Sequence, residues 1–176
     1  MTAVFYNFGF FVLLAYTPFA LVPLGVSSAI ALGFVFFGWG GVAVAVSSVW
    51  LAPILTARMR RTSVITTILP LLAIDLVLIA VFIHSAAAVI AGVVVGGLLL
   101  GIMNTVLTES VMEATDLPRP VASSAYSGVR FLGGAVAPPV ASLLAASIAE
   151  PAPFIAGAIA FIVATVIVIV GRSRLA

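Results

Sequence analysis

Five Asp or Glu, seven Arg and one His are the charged chemistry this chain has to offer, and three of these residues fall inside long apolar runs. Arg130 lies nine residues beyond Val121, roughly 13 Å along a helix, too deep for a terminal side chain reaching the headgroups. Glu109 sits several residues inside the same end of a second run, and Asp75 near the middle of a third. A charge within hydrocarbon is costly unless it is partnered or faces a watery cavity. A Glu109–Arg130 or an Asp75–Arg130 ion pair is therefore expected, serving either structure or coupling.

Uncharged polar residues extend this set. Thr105, Glu109 and Glu113 follow an i, i+4, i+8 spacing and share one helix face, with Asn104 and Thr108 on the adjoining stripe. That is a polar flank on an otherwise greasy helix, suited to a water-filled cavity, with Glu113 close to the headgroups. Near the N-terminus, Tyr6, Asn7, Phe10, Phe11, Tyr16 and Phe19 make an aromatic-rich helix with one amide. Such a helix fits either an interfacial belt or a wall that touches a small molecule. Gly92, Gly96, Gly97 and Gly101 form a small-residue series for close helix packing.

Enzyme signatures are absent. The single His84 falls at a turn without an acid or metal-ligating neighbour, and there is no cysteine, so neither a catalytic triad nor a metal site can be assembled. No phosphate-binding or dinucleotide loop occurs, and no cofactor is implied. A net charge of +2 with seven Arg and no Lys marks membrane topology, not nucleic acid.

The elements that must hold these residues follow from the scarcity of charge. Only 7% of residues are charged and 64% are hydrophobic, too little polar material to cover a soluble fold, in which about 25% is usual. Met1 to Ala57 contains no Asp, Glu, Lys or Arg; as one helix it would far exceed the ~30 Å hydrocarbon core, so it holds two spans. The same reasoning along residues 1–176 gives one all-α, six-span transmembrane domain. The spans run over about 4–22, 28–55, 63–83, 86–112, 121–147 and 152–171. Breaks are marked by Pro23 and Gly25, by Thr56 to Thr62, by His84 and Ser85, by Asp116 to Pro120, and by Glu150 to Pro153. Arg58, Arg60 and Arg61, then Arg119, then Arg172 and Arg174 all fall after even-numbered spans. The positive-inside rule then puts both termini in the cytoplasm of a multi-pass cell-membrane protein. Gly40 to Ala45 and Gly133 to Ala137 echo one another in oppositely directed spans, as an inverted three-plus-three repeat requires.

Three stretches carry a resemblance. GLLLGIMNTVLTESVMEA, from Gly97 to Ala114, is similar to the tenth helix of drug-efflux transporters of the major facilitator superfamily. PRPVASSAYSGVRFLGGAVAPPVASLL, from Pro118 to Leu144, resembles the eleventh, with its Arg, double Gly and Pro. LAPILTARMRR, from Leu51 to Arg61, sits where the family repeats a degenerate Arg-rich loop, although no Gly or Asp stands there. The chain thus looks like the C-terminal half of such a transporter.

The resemblance implies an all-α six-helix bundle equivalent to one half of that fold. It also implies proton-coupled efflux of small amphipathic compounds by alternating access. Spans one and four would line the cavity, two and five would face the other half, and three and six would be peripheral. Glu109 is then the expected proton carrier with Arg130 as counter-ion, and Asp75 a structural pair or cap. Asn7, Asn104, Thr108 and Phe11 are the expected cavity contacts. The implied partners are lipid, a small-molecule substrate, protons, and a second six-span half or a second copy of the chain. Two other readings fit the same residues: a six-span subunit with no transport cycle, and a truncated product inactive alone.

Overall fold

The computed structural model describes residues 2–114 and 118–172. Among these residues six helices are long and apolar enough to cross a membrane: α1 (Thr2–Leu24), α2 (Ala29–Arg58), α3 (Arg61–Val81), α4 (Ala86–Glu113), α5 (Arg119–Ser147) and α6 (Ala152–Gly171). No strand occurs among the described residues. The all-α, multi-pass membrane class expected from the sequence is thus observed. The expected interruption at Asp116 and the topology charge at Arg174 lie outside the described residues.

Local chemistry explains the ends. Gly25 closes α1 with φ 88° and donates its N–H to the Val22 carbonyl at 3.2 Å, a left-handed cap that any side chain would strain. Ser28 then opens α2, its Oγ accepting from the Ala31 N–H at 3.0 Å, and Ser85 caps α4 the same way. Helix α2 runs past the expected break at Thr56. There the Thr56 hydroxyl bonds back to the Ala52 carbonyl at 3.0 Å, and the chain turns extended only at Met59.

The six helices pack in a particular order. Helix α6 lies between α1 and α3, α4 rests against α3 on one side and α2 on the other, and α5 lies along α1. Every one of these main contacts joins one of the first three helices to one of the last three. Exchanging α1 with α4, α2 with α5 and α3 with α6 leaves the order of neighbours unchanged. This is the arrangement an inverted repeat produces.

Because lipid is as apolar as leucine, such helices adhere through close van der Waals fit, and glycine provides it. A Cβ on Gly9 would meet the Phe161 ring at 2.7 Å, and one on Gly157 would meet Leu76 at the same distance. Phe154 and Phe161 are fully buried at this α1–α3–α6 centre with Leu13, Leu69, Leu72 and Leu76.

Helix α2 departs from regular α geometry. Phe37–Val44 and Ser47–Leu51 are π-helical, a wider winding that is rare outside functional segments. Both stretches face α4: a Cβ on Gly97 would be 2.8 Å from the Trp39 carbonyl oxygen, and one on Gly101 2.6 Å from that of Val44. The Ser48 hydroxyl completes the seam by donating to the Gly101 carbonyl at 3.1 Å.

A polar cluster shared by three helices

The close approach of α5 to α1 is the origin of the candidate site. Gly133 lets the α1 backbone come so near that a Cβ there would be 2.8 Å from the Val4 carbonyl oxygen and 3.2 Å from Asn7 Cβ. Gly134 accommodates the Phe11 ring in the same way. One turn before this glycine pair stands Arg130, which the packing brings to Asn7: the guanidinium Nε donates to Asn7 Oδ1 at 3.4 Å. Asn7 is fully buried, and its amide nitrogen donates to the Ala3 carbonyl at 2.7 Å. The amide is therefore oriented with its oxygen toward the arginine.

One turn further back on α5, Tyr126 lies beneath the guanidinium, with the Arg130 Cζ 5.7 Å from the ring centroid. Its hydroxyl is buried against the Thr108 side chain of α4. Thr108 itself donates to the Asn104 carbonyl at 2.6 Å, and the buried Asn104 Oδ1 is unpartnered among the described residues. Tyr6 bridges the third side, donating from Oη to the Leu100 carbonyl at 3.2 Å. Beside Arg130 a pocket of about 120 Å³ is lined by Phe11, Ser127, Arg130 and Phe131. An aromatic row leads away from it: Phe10 packs edge-on against Phe11 at 4.9 Å and reaches Trp39 of α2 at 5.8 Å. The Trp39 Nε1 is buried without a hydrogen-bond partner among the described residues.

Asn7, Phe11, Asn104, Thr108 and Arg130 are thus gathered on the surface shared by α1, α4 and α5. The two carboxylates are not with them, and here the structure corrects the expected pairings. Glu109 faces Arg61, with Arg61 Nε 3.4 Å from its Oε2, and Arg61 also hydrogen-bonds Glu113. The reason is helical phase: Glu109 is on the stripe of α4 that looks toward the start of α3, while Thr108 looks toward α5. Asp75 is not with Arg130 either. Only 6% exposed, it lies between α3 and α4, where Gly96 makes room for its Oδ2; that oxygen has no hydrogen-bond partner among the described residues. The last residue of the expected Arg-rich loop, Arg61, therefore acts as the clasp for both α4 carboxylates.

Two contributors, Tyr126 and Trp39, were not singled out from the sequence, and Tyr6 was named only within an aromatic helix that fits either an interfacial belt or a wall touching a small molecule. Tyr126 stood in a run of Ser and Ala without a helical mate, and Trp39 inside a glycine-rich stretch. Their one available signal was a polar atom on a deeply placed aromatic ring.

No protein-family model matches the chain, and no solved structure matches it. It is 38% identical over all 176 residues to the multidrug efflux protein YfmO of Bacillus subtilis (strain 168). The matched residues are 100% of this chain and 43% of that protein, so the chain spans less than half the length of this relative. The drug-efflux resemblance of the Gly97–Ala114 and Pro118–Leu144 stretches is matched by a protein of that description.

Proposed function

We propose that this chain forms one six-span half of an efflux transporter that moves small amphipathic compounds across the cell membrane. The observation that carries the reading is the 38% identity, along all 176 residues, with part of a multidrug efflux protein. The polar cluster of α1, α4 and α5 supports it, because buried polar atoms without partners are expensive in a structural core and useful in a substrate path.

The other six spans would cover α2 and α5. Only 11% of the residues in the apolar stretch of α2 and 22% of those in α5 are buried, against 56% for α3. A complementary six-span unit or a second copy of the chain would complete the path, and alternation would rock one unit against the other. The arginines after α2 and before α5 favour a cytoplasmic location for that end of the bundle and for both termini. Major facilitator topology and a proton-coupled antiport cycle belong to this proposal.

Glu109 is the coupling carboxylate in this scheme, with Arg61 in the place first expected of Arg130. Protonation of Glu109 would leave Arg61 to Glu113 alone. Asp75 is the second candidate, being a carboxylate held away from solvent. The test is flux in proteoliposomes with and without an imposed proton gradient. Glu109→Gln is expected to abolish gradient-driven efflux while membrane insertion is unchanged; full gradient-driven transport by that variant removes Glu109 from the cycle.

A further inference from the structure

Among the described residues no carboxylate pairs with Arg130: Glu109 and Glu113 are held by Arg61, Asp75 is enclosed between α3 and α4, and Glu150 lies in the turn before α6. The Arg130 Nε donates to a neutral amide, and its guanidinium lies over the Tyr126 ring. The terminal guanidinium N–H groups make no hydrogen bond to the described residues, and Arg130 lines a pocket with Phe11, Ser127 and Phe131.

Along the aromatic row Trp39 Nε1 is a further buried donor without an acceptor among the described residues, while Asn104 Oδ1 on α4 is an acceptor without a donor among them. A site with a positive charge that no described residue compensates, with guanidinium N–H groups unused among the described residues and with aromatic walls, is complementary to an oxyanion attached to a flat apolar body. A cationic compound would face like charge at Arg130, with no carboxylate of the described residues to hold it.

We infer that the cluster around Arg130 is an anion subsite, and that the substrates of this transporter are amphipathic organic anions whose carboxylate or sulfonate head sits on Arg130. Their aromatic body lies along Phe11, Phe10 and Trp39. The inference rests on the transporter reading and supplies its substrate class.

Equilibrium binding tests it without depending on flux. The full chain, purified with any subunit that accompanies it and placed in phosphatidylcholine nanodiscs, is titrated with three fluorescent probes. These are anilinonaphthalene sulfonate, phenylnaphthylamine (the same skeleton without the sulfonate) and the cation ethidium, with empty nanodiscs as the blank. The sulfonate is expected to bind at least about tenfold tighter than its neutral counterpart, the range of a charged hydrogen bond. Arg130→Gln should remove that preference and leave phenylnaphthylamine binding unchanged, while Arg130→Lys keeps part of it. The comparison of probes on the unaltered chain stands by itself if Arg130→Gln does not insert. Equal binding of the sulfonate and neutral probes, or tighter ethidium binding, overturns the anion assignment and leaves the transporter reading in place. An Arg130→Gln variant that inserts and binds the sulfonate undiminished overturns the assignment in the same way. Failure to bind all three probes overturns both.

Discussion

Arg61 grips Glu109 and Glu113 where all three side chains stay open to their surroundings, with 37%, 45% and 62% of their side-chain surfaces accessible. Pairs this open contribute little, under about 1 kcal/mol. Arg61→Gln should therefore leave the unfolding of the detergent-solubilised chain almost unmoved, as read by circular dichroism during titration with denaturing detergent. A large loss would mean that the clasp is a principal support of the bundle. The clasp was also what the sequence hid best. Arg130 announced itself by depth, since a lone arginine nine residues into an apolar run needs company, and so did the amide of Asn7. That Arg61 would take Glu109 depended on how α3 and α4 are rotated about their axes, and residues 48 positions apart give no sign of this.

At the level of elements, α2 is secured almost wholly along α4, by Gly97 and Gly101 and the Ser48 hydroxyl. A side chain at Gly101 would collide with the Ser47 hydroxyl and press on the Val44 carbonyl. Gly101→Val is predicted to cost about 1–3 kcal/mol and to lift α2 from α4. A cysteine pair placed across the seam should then cross-link more slowly than it does on the unaltered background; an unchanged rate would show that the seam yields. The spans themselves were readable from the spacing of charges, because hydrocarbon admits so few of them. The π-helical turns of α2 were not. Winding depends on which carbonyl each N–H finds, and Gly38, Gly40 and Gly41 permit either choice.

Considered whole, the molecule is two sets of three helices that adhere to each other far more than within themselves. The chain cut between residues 84 and 85 should therefore reassemble when both pieces are co-expressed, giving a complex that purifies on a tag carried by either one. Each piece expressed singly should be degraded; stable accumulation of one piece by itself would contradict the packing order. The inverted relation of the two sets was hinted at by the Gly40–Ala45 and Gly133–Ala137 echo, but short glycine-alanine strings recur too freely to establish it. The packing also has a consequence for biogenesis. As the ribosome delivers α1, α2 and α3 in turn, none has yet met the surface it is built to rest on, for those surfaces belong to α4, α5 and α6. The early helices must wait in the bilayer or beside an insertase, glycine grooves unfilled, until the second set is synthesised. Assembly of this bundle is in that sense a late event, and a ribosome stalled after the third helix leaves these three helices unpacked.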